Sequence, residues 1–383
     1  MSSVFVPLAG LLPSDQLSLS FSHSSQPPAV AITPEISDLL SLGCAVAIGV
    51  SGGKDSQACA LATFRYLDQI GHSGPRVLVS ADLGIVEWGD SLPTCERLAR
   101  HLKADLVVVR RKAGDMLSRW QQRWRNNVSR YRELCCVRLI MPWSSPALRF
   151  CSGELKVEPI TSALKKRYLD LPIVNVSGIR RQESAARSKK PISAIEPRLM
   201  RKGKAGMTWN PIIEWSLNEV LDEISASGLA LHEAYTVYGS SRVSCSFCIM
   251  GSLNDLVASS TCEGNRDAYI AMVELEAVSS YAFQSSRWLA DVAPQLLSAD
   301  LRSRIVLAKA RASARQAIEE EIPRHLLYTK GWPTTIPTAA EADLLASVRR
   351  RISELYGFQS DYLTGEVVIE RYASLMALHS SKT

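Results

Sequence analysis

The sequence of 383 residues contains no uninterrupted apolar run of about eighteen residues, the length that a membrane-spanning helix needs. Its amino terminus, MSSVFVPLAGLLPSD, lacks the basic flank and the small-residue cleavage site of a secretory signal. We therefore expect no membrane association and a cytoplasmic location. With 46% hydrophobic and 21% charged residues, the chain can bury a large core, which excludes fibrous and low-complexity classes.

The sequence also lacks a strong charge of either sign and an even number of cysteines. The net charge of +6, with a pI near 8.8, permits an anionic partner without requiring one. The nine cysteines are an odd count. In a reducing compartment thiols are more often buried, metal-binding or catalytic than paired in disulfides. The cysteines are therefore candidates for a core or for a metal site.

Three regions are predicted along the chain. Residues 1–33 are rich in Ser and Pro without sustained periodicity, which favours a mobile arm. Residues 34–255 alternate apolar strand-length runs with amphipathic helices, the pattern of a parallel sheet with helices on both faces. Residues 256–383 are mostly helical, with no convincing strand. We therefore predict an α/β fold with a twisted parallel sheet and a helical C-terminal region.

The predicted elements of the α/β region follow from periodicity and from capping residues. Strands are predicted at 44–50, 76–81, 105–109, 173–176 and near Ile212. Helices are predicted at 33–42, from the glycine turn after the first strand to Gly71, at 91–102, and after a capping box formed by Ser216 and Glu219.

The stretch VAIGVSGGKDSQACALA, residues 46–62, runs from an apolar strand through a glycine turn into a helix. Ligands of such sheets bind beyond the carboxyl ends of the strands, where the free amides of a helix N-terminus attract phosphate. A Walker A loop would need glycine at position 48 and a hydroxyl residue at 55, but the chain has Ile48 and Asp55. The dinucleotide pattern GxGxxG is absent as well. What remains is Ser51, Gly52, Gly53, Lys54, Asp55 and Ser56.

These six residues have the composition of a phosphate-binding loop. The two glycines let the backbone close around phosphate oxygens, while Ser51 and Ser56 can donate hydroxyl hydrogens. Lys54 supplies positive charge. Asp55 would repel a phosphate if it faced the site, so we expect it to cap the helix or to order the turn.

The hexapeptide resembles the PP-loop of the N-type ATP pyrophosphatase and PAPS reductase superfamily, and the resemblance extends from about Val46 to about Asp255. Four further stretches carry it: SADLG at 80–84 with Glu87 and Trp88, CSGELKVEP at 151–159, GIRRQESAAR at 178–187, and WNPIIEW at 209–215. The resemblance implies that the first of these borders the adenosine pocket. It also implies that the second places a lysine, here Lys156, over the site.

The resemblance assigns further residues to the nucleotide site. Asp82 and Gly178 are expected to border the nucleotide. Arg180 and Arg187 follow a predicted strand and are planar donors suited to phosphate or sulfate, with a solvated basic face as the alternative. Glu183 is expected to pair with one of these arginines. The predicted catalytic residues are Lys54, Lys156, Arg180 and Glu183.

Cys245 and Cys248 form a CxxC motif, whose spacing lets both sulfurs reach one metal ion. Cys151 and Cys262 complete a candidate set of four. In APS reductases and in the ATP pyrophosphatases of DNA phosphorothioation systems, four cysteines resembling this set hold a [4Fe-4S] cluster, so the resemblance implies a cluster here. A structural zinc ion or four unlinked core thiols are the alternatives. The nearby Arg242 and backbone amides are expected to lower the pKa of the CxxC thiols.

The other cysteines receive weaker assignments. The pair Cys135 and Cys136 resembles the double cysteine of APS reductases and could replace a member of the set of four. Cys44, Cys59 and Cys95 fall on predicted core faces and are expected to be buried.

For the reaction, the resemblance implies attack of a substrate oxygen on the α-phosphate of ATP with Mg²⁺ on the phosphates, release of pyrophosphate, and displacement of AMP by sulfur or nitrogen. Assimilatory PAPS reductases end in a Glu-Cys-Gly-x-His tail, whereas this sequence has no cysteine after Cys262. We therefore predict an ATP pyrophosphatase that activates a substrate for sulfur transfer, together with a sulfur donor or redox partner protein. Reduction of an adenylyl-sulfate nucleotide is an alternative.

A second class of function also fits the sequence, namely a nucleotide- and metal-binding subunit that acts on nucleic acid without catalysis of its own. The segment from Arg180 to Lys204 carries nine basic and two acidic side chains, which could neutralise a phosphate backbone. A solvated loop around Pro191 and Pro197 accounts for the same run. The sequence predicts no oligomeric state.

Overall fold

The structure, a computed structural model, describes residues 27–380. It contains one sheet of six strands: β1 Ala45–Gly49, β2 Arg76–Asp82, β3 Asp105–Arg110, β4 Ile173–Ser177, β5 Ser193–Ile195 and β6 Gly206–Trp209. The strand order is β3-β2-β1-β4-β6-β5. Five strands are parallel, and β5 pairs antiparallel with β6 at one edge. The predicted α/β class is confirmed, with one antiparallel edge strand added.

The helices used in the description are labelled in chain order. They are α1 Pro34–Ser41, α2 Lys54–Gln69, α3 Ser91–Leu102, α4 Met116–Arg132, α5 Glu158–Arg167, α6 Leu217–Ser227, α7 Glu233–Thr236, α8 Leu253–Thr261, α9 Arg266–Ser279, α10 Ala299–Glu320, α11 Ala339–Tyr356 and α12 Gly365–Ser380. A short helix, Phe150–Ser152, and a π-helical turn, Gly153–Val157, run directly into α5. A further short helix covers Ala185–Ser188.

Most predicted elements lie where the sequence placed them. Four of the strands, the helices ending near residues 42, 71 and 102, and the capping box of α6 are present. The strand predicted near Ile212 is wrong, because the hydrogen-bonded strand is β6, and Ile212 lies in the turn that follows. Ile212 is nevertheless fully buried. Its apolar character therefore reflects packing of a turn and not strand pairing.

The central strand β1 explains the site's location. Its residues are buried almost throughout, as expected for a parallel strand covered by helices on both faces. It lies between β2 and β4, so the carboxyl ends of these three strands meet at the same edge of the sheet. The loop that follows β1 therefore lies beside the segments that follow its two neighbours.

The segment before α1 differs from the predicted mobile arm where the structure describes it. Residues 1–26 lie outside the described residues. The Ala31 amide donates to the Pro211 carbonyl at 2.7 Å, and the indole N–H groups of Trp209 and Trp215 donate to the carbonyls of Ala31 and Ala29 at 2.7 and 2.8 Å. These bonds attach residues 29–31 to the sheet domain, so the predicted end of the arm at residue 33 is too late.

The C-terminal helices do not form a core of their own. The predicted boundary between residues 255 and 256 falls inside α8. A single apolar cluster joins Trp120 of α4 and Trp143 to Phe283 and to Tyr372 of α12. The ring centroids of Trp120 and Trp143 lie 5.3 Å apart, and those of Trp143 and Phe283 lie 5.2 Å apart. The C-terminal region is helical as predicted, but it shares its core with residues 83–155.

None of the helices within residues 27–380 is long and apolar enough to cross a membrane.

A buried carboxylate is expected to stabilise this shared core. Glu276 is fully buried and accepts backbone N–H bonds from Phe283, Leu289 and Ala290 at 2.7, 2.7 and 3.0 Å. Glu276→Ala would leave three buried donors without partners, so we expect a loss of about 3 kcal/mol or more in the free energy of unfolding, measured in urea. The control is Glu274→Ala, because Glu274 forms a half-exposed ion pair with Arg304. Equal losses for both variants would contradict the prediction.

Candidate nucleotide-binding site

The predicted phosphate loop lies between β1 and α2, at the carboxyl edge of the sheet. Helix α2 begins at Lys54, and its N-cap residue, Gly53, offers no side chain to the first-turn amides. Unpaired amides at a helix N-terminus, together with the positive end of the helix dipole, favour an anion. The loop therefore has features that favour an anion, and phosphate binding by these residues stays a prediction.

The two glycines of the loop have different roles. Gly52 has φ +75°, a left-handed conformation that favours glycine. A Cβ at Gly52 would lie 3.0 Å from His232 Cδ2 and 3.1 Å from the Ser91 carbonyl oxygen. Gly53 has an ordinary φ of −73°, and a Cβ there would meet nothing closer than 3.5 Å. Of these two positions, only 52 requires glycine for its backbone conformation.

His232 supports the loop from the protein interior. It is fully buried, its Nδ1 accepts from the Ala234 amide at 2.9 Å, and its Nε2 lies 3.2 Å from Ser91 Oγ. Because Nδ1 accepts, Nε2 carries the proton and donates to Ser91. Burial lowers the pKa of His232, which favours this neutral ring. Sequence reasoning did not identify His232, because its contact with Gly52 spans most of the domain.

A cavity of about 550 Å³ opens beside the loop. Its lining contains five basic side chains and two carboxylates, which gives it a positive balance suited to a polyanion. The lining residues are Ser51, Gly53, Lys54, Asp55, Ser56, Arg149, Gly178, Arg180, Glu183, Ser184, Arg187, Leu217, Tyr235, Ser241, Arg242, Val243 and Met250. The structure thus gathers the loop and the residues after β4 around one cavity.

An ion pair joins the loop to the segment after β4. Arg180 is 6% exposed, and its Nε donates to Asp55 Oδ1 at 2.6 Å. Asp55 also lies 3.7 Å from Lys54 Nζ. Of the two roles expected for Asp55, capping of the helix is not observed, since Gly53 is the N-cap residue, whereas ordering of the turn agrees with its ion pairs. Asp55 instead fixes Arg180, which explains an aspartate in a phosphate loop.

Gly178 allows this close approach. A Cβ at Gly178 would lie 2.5 Å from the Asp55 carbonyl oxygen and 2.9 Å from Cys59 Cβ. The end of β4 therefore contacts the first turn of α2 directly.

Glu183 is engaged with two arginines. It accepts the Arg180 backbone N–H at 2.7 Å and forms an ion pair with Arg187 one helical turn later. This agrees with the prediction that it holds an arginine in place. Its position within hydrogen-bonding distance of the Arg180 backbone gives it a supporting role, while a direct catalytic role remains a prediction.

Asp82 and Lys156 lie outside the cavity lining. Asp82 accepts the Gly84 amide at 2.7 Å and pairs with Arg110. Lys156 lies in the π-helical turn and interacts electrostatically with Glu87 and Cys245. Burial raises the pKa of Glu87 to about 7, and Lys156 opposes this rise. Lys156 and Glu87 thus lie near Cys245 and not in the cavity lining. The predicted contact of Asp82 and Lys156 with the nucleotide stays a prediction.

The four candidate ligand cysteines are not arranged as a metal site. Within residues 27–380 no group of three or more His, Cys, Asp or Glu side chains could hold a metal ion. Cys245 interacts with Cys248 and Cys151, but Cys262 packs against Trp88 and Tyr238 in a separate small cluster. Burial raises the pKa of Cys245 to about 12, although Lys156 lowers it. The expected lowering of this thiol pKa is therefore wrong, because the sequence could not show the burial.

The remaining cysteines lie elsewhere. Cys44, Cys59 and Cys95 are buried as predicted. Cys136 is buried, and its Sγ lies 3.9 Å from Nδ2 of Asn127 in α4. The Sγ of Cys135 lies 3.4 Å from a guanidinium nitrogen of Arg371 in α12. The double cysteine is therefore placed with the helices that form the shared core.

The basic segment from Arg180 to Lys204 does not form one surface. Its first three arginines pair with Asp55, Glu214 and Glu183. Arg201 donates to the carbonyls of Lys165, Leu169 and Leu171, at the amino end of β4. The turn at 201–204 therefore lies at the opposite end of the sheet from the cavity. The basic side chains of this segment are thus divided between the two ends of the sheet, and contact with nucleic acid stays a prediction.

Several lining residues were missed by sequence reasoning. Arg149 precedes the Cys151 element by two residues, which is the only local signal for it. Tyr235, Ser241, Arg242 and Val243 reach the cavity through contacts between segments that are distant in the chain. No periodicity or spacing indicates such contacts.

A glycine loop between a parallel strand and a helix, faced by arginines from the neighbouring strand, defines a nucleotide-binding α/β domain. Residues 45–249 match the phosphoadenosine phosphosulfate reductase domain family, which is more than half of the chain. The chain belongs to this family.

Solved structures similar to this chain include two enzymes. The phosphoadenylyl-sulfate (PAPS) reductase from Candida auris, in a phosphate complex, is 14% identical, with a TM-score of 0.34, over 57% of this chain and 98% of that chain. The U34-tRNA thiolase NcsA from Methanococcus maripaludis, with its [4Fe-4S] cluster, is 13% identical, with a TM-score of 0.33. The match covers 68% of this chain and 83% of that chain. No curated protein matches the sequence. The family assignment thus comes from the domain match.

The different roles of the two glycines lead to a direct test. We expect Gly52→Ala to lower the free energy of unfolding in urea by about 2 kcal/mol or more, because the left-handed backbone and the contact with Ser91 both oppose a Cβ. Gly53→Ala should change it by less than about 1 kcal/mol. If both substitutions cost the same, the backbone requirement assigned to Gly52 is wrong.

Proposed function

We propose that the chain binds ATP or a related adenine nucleotide in this cavity and splits it at the α-phosphate. Pyrophosphate is released, and the adenylated substrate is activated for sulfur transfer. The observation that supports this proposal is that the phosphate loop and five basic side chains line one cavity. The family membership adds to it.

In this proposal the chain acts by stabilising charge on the leaving pyrophosphate. The first-turn amides of α2 and the hydroxyls of Ser51 and Ser56 bind phosphate oxygens, while Lys54 and Arg180 offset their charge. Asp55 holds Arg180 in orientation through their 2.6 Å contact. Preorganised donors of this kind stabilise a developing charge without reorganising during the reaction.

Mg²⁺ would neutralise phosphate oxygens that the side chains leave free. The two carboxylates that line the cavity, Asp55 and Glu183, are already engaged in ion pairs with arginines. The ion would therefore be held mainly by the phosphates, as is common for Mg²⁺ in nucleotide sites.

Lys54 is held weakly in the structure. Its Nζ donates to the Ser241 carbonyl at 3.3 Å and lies 4.8 Å from the centroid of the Tyr235 ring. An anionic phosphate oxygen is a stronger acceptor than a neutral carbonyl. Lys54 can therefore turn to a phosphate at little cost.

Removing the charge of Lys54 should weaken nucleotide binding. We expect Lys54→Ala to lose about 1.5 to 3 kcal/mol of binding free energy for ATP or PAPS in a calorimetric titration, the range for a hydrogen bond to a charged group. Pyrophosphate release from ATP should be lost as well. Release of sulfite from an adenylyl-sulfate nucleotide, with a dithiol supplied as the two-electron reductant, would instead favour the reductase alternative.

The control for this variant is Lys330→Ala, because Lys330 is exposed in a loop of the C-terminal region. It should bind nucleotide as the unmodified chain does. Unchanged affinity of Lys54→Ala, with the fold intact by circular dichroism, would overturn the proposed site.

A [4Fe-4S] cluster on Cys151, Cys245, Cys248 and Cys262 is a separate proposal, and the thiols as placed are not a ready ligand set. If the cluster forms, anaerobically purified protein should be brown and contain about four iron atoms per chain. Cys245→Ser and Cys151→Ser should lose the colour, whereas Cys44→Ser, at a buried core position, should keep it. Colourless protein with about one zinc ion per chain would support the zinc alternative.

A further inference from the structure

The hydroxyl of Tyr235 joins two loops of the site. Tyr235 lies in α7 and lines the cavity. Its oxygen accepts the backbone N–H of Lys54 at 3.3 Å and the backbone N–H of Val243 at 3.2 Å. Lys54 belongs to the phosphate loop, and Val243 belongs to the segment 240–252, which carries Cys245 and Cys248 and is called the cysteine loop below.

The Lys54 amide is a donor that phosphate would use. It stands in the first turn of α2, where the helix has no internal acceptor for it. Gly53 provides no capping side chain, so the phenol oxygen fills this position from 181 residues away. The Tyr235 oxygen therefore occupies a hydrogen-bonding position that suits an anion.

Hydrogen bonds to one carboxylate hold the cysteine loop together, so the loss of a contact at one residue affects the whole loop. Asp255 accepts from the Ser241 amide at 2.8 Å, from Ser240 Oγ at 3.2 Å and from the Ser252 amide at 3.1 Å. These bonds close the two ends of the loop onto one carboxylate. Lys54 adds a second link to the loop through Nζ and the Ser241 carbonyl at 3.3 Å.

We infer that Tyr235 is a positioning residue that couples phosphate binding to the cysteine loop. A phosphate oxygen carries charge and competes with the neutral phenol for the Lys54 amide, while the Lys54 ammonium turns from Ser241 to the phosphate. Both links from the phosphate loop to the cysteine loop are then lost together. Binding of an anion at residues 51–56 therefore loosens the hold of the phosphate loop on Ser241 and Val243. This inference rests on the proposed binding of phosphate at residues 51–56.

Tyr238 provides a matched control within the same segment. Its ring lies 5.6 Å from the Trp88 ring between centroids and packs against Cys262, so its partners lie away from the phosphate loop. Tyr235→Phe keeps the ring beneath Lys54 and removes only the shared acceptor. Tyr238→Phe removes a hydroxyl of the same kind without breaking the coupling.

The test is hydrogen exchange of the full chain, measured by mass spectrometry with and without inorganic pyrophosphate. In the unmodified protein, pyrophosphate should slow exchange at residues 51–56 and speed it at residues 240–252. In Tyr235→Phe without ligand, exchange at 240–252 should already be about fivefold faster, the change that corresponds to one lost hydrogen bond. Pyrophosphate should then add no further increase. Tyr238→Phe should respond as the unmodified protein does.

The outcomes separate the coupling from the proposed function. Protection at 51–56 with no change at 240–252 in the unmodified protein would overturn the coupling and leave the proposed function standing. No protection at 51–56 would overturn both. A Tyr235→Phe variant that exchanges and responds like Tyr238→Phe would overturn the role of Tyr235. Should Tyr235→Phe fail to fold, Lys54→Ala decides, because its backbone N–H still bonds to Tyr235 while the Ser241 link is gone. Saturating pyrophosphate should then still speed exchange at 240–252, and no increase would overturn the role of Tyr235.

Discussion

The ion pair between Arg180 and Asp55 fixes the geometry of the whole candidate site. Arg180 follows β4 and Asp55 lies in the first turn of α2, so their 2.6 Å contact sets the loop after one strand against the segment after its neighbour. Arg180 is 6% exposed. Breaking a buried pair by removing one partner leaves an uncompensated charge and typically costs about 3–5 kcal/mol. The placing of the arginines relative to the phosphate loop therefore depends on this contact.

The carboxylate of Asp255 holds the cysteine loop in place, as the carboxylate of Asp55 holds Arg180. Burial raises the pKa of Asp255, but the donors of Ser241 and Ser252 outweigh this and lower it overall. Its stabilising contribution is thus present above the pKa of the unfolded chain and is lost as the pH falls through the lowered value. Together, Asp55 and Asp255 hold the two loops whose facing edges meet at Tyr235 and Lys54.

The parts of this protein that the sequence predicts well are those that depend on neighbouring residues. Four of the strands, the capping box of Ser216 and the position of the glycine turn between β1 and α2 all follow from local periodicity and turn chemistry. Tyr235 and Arg149 could not be predicted in the same way, because their roles arise from contacts across the fold. The raised pKa of Cys245 was missed for a related reason, since charges near a cysteine are visible in the sequence but burial is not. The misplaced strand at Ile212 shows that an apolar run can equally mark a buried turn.

The family match ends at residue 249, yet the aromatic core beneath the rim of the cavity continues to Tyr372. Phe150, next to Arg149, belongs to this core, and the Trp143 indole donates to the Tyr281 carbonyl at 3.1 Å. The segment that carries Arg149 is therefore packed against helices that lie beyond the matched residues. The matched segment does not contain all of the core that supports its own cavity, so we expect residues 45–249 to need those helices in order to fold.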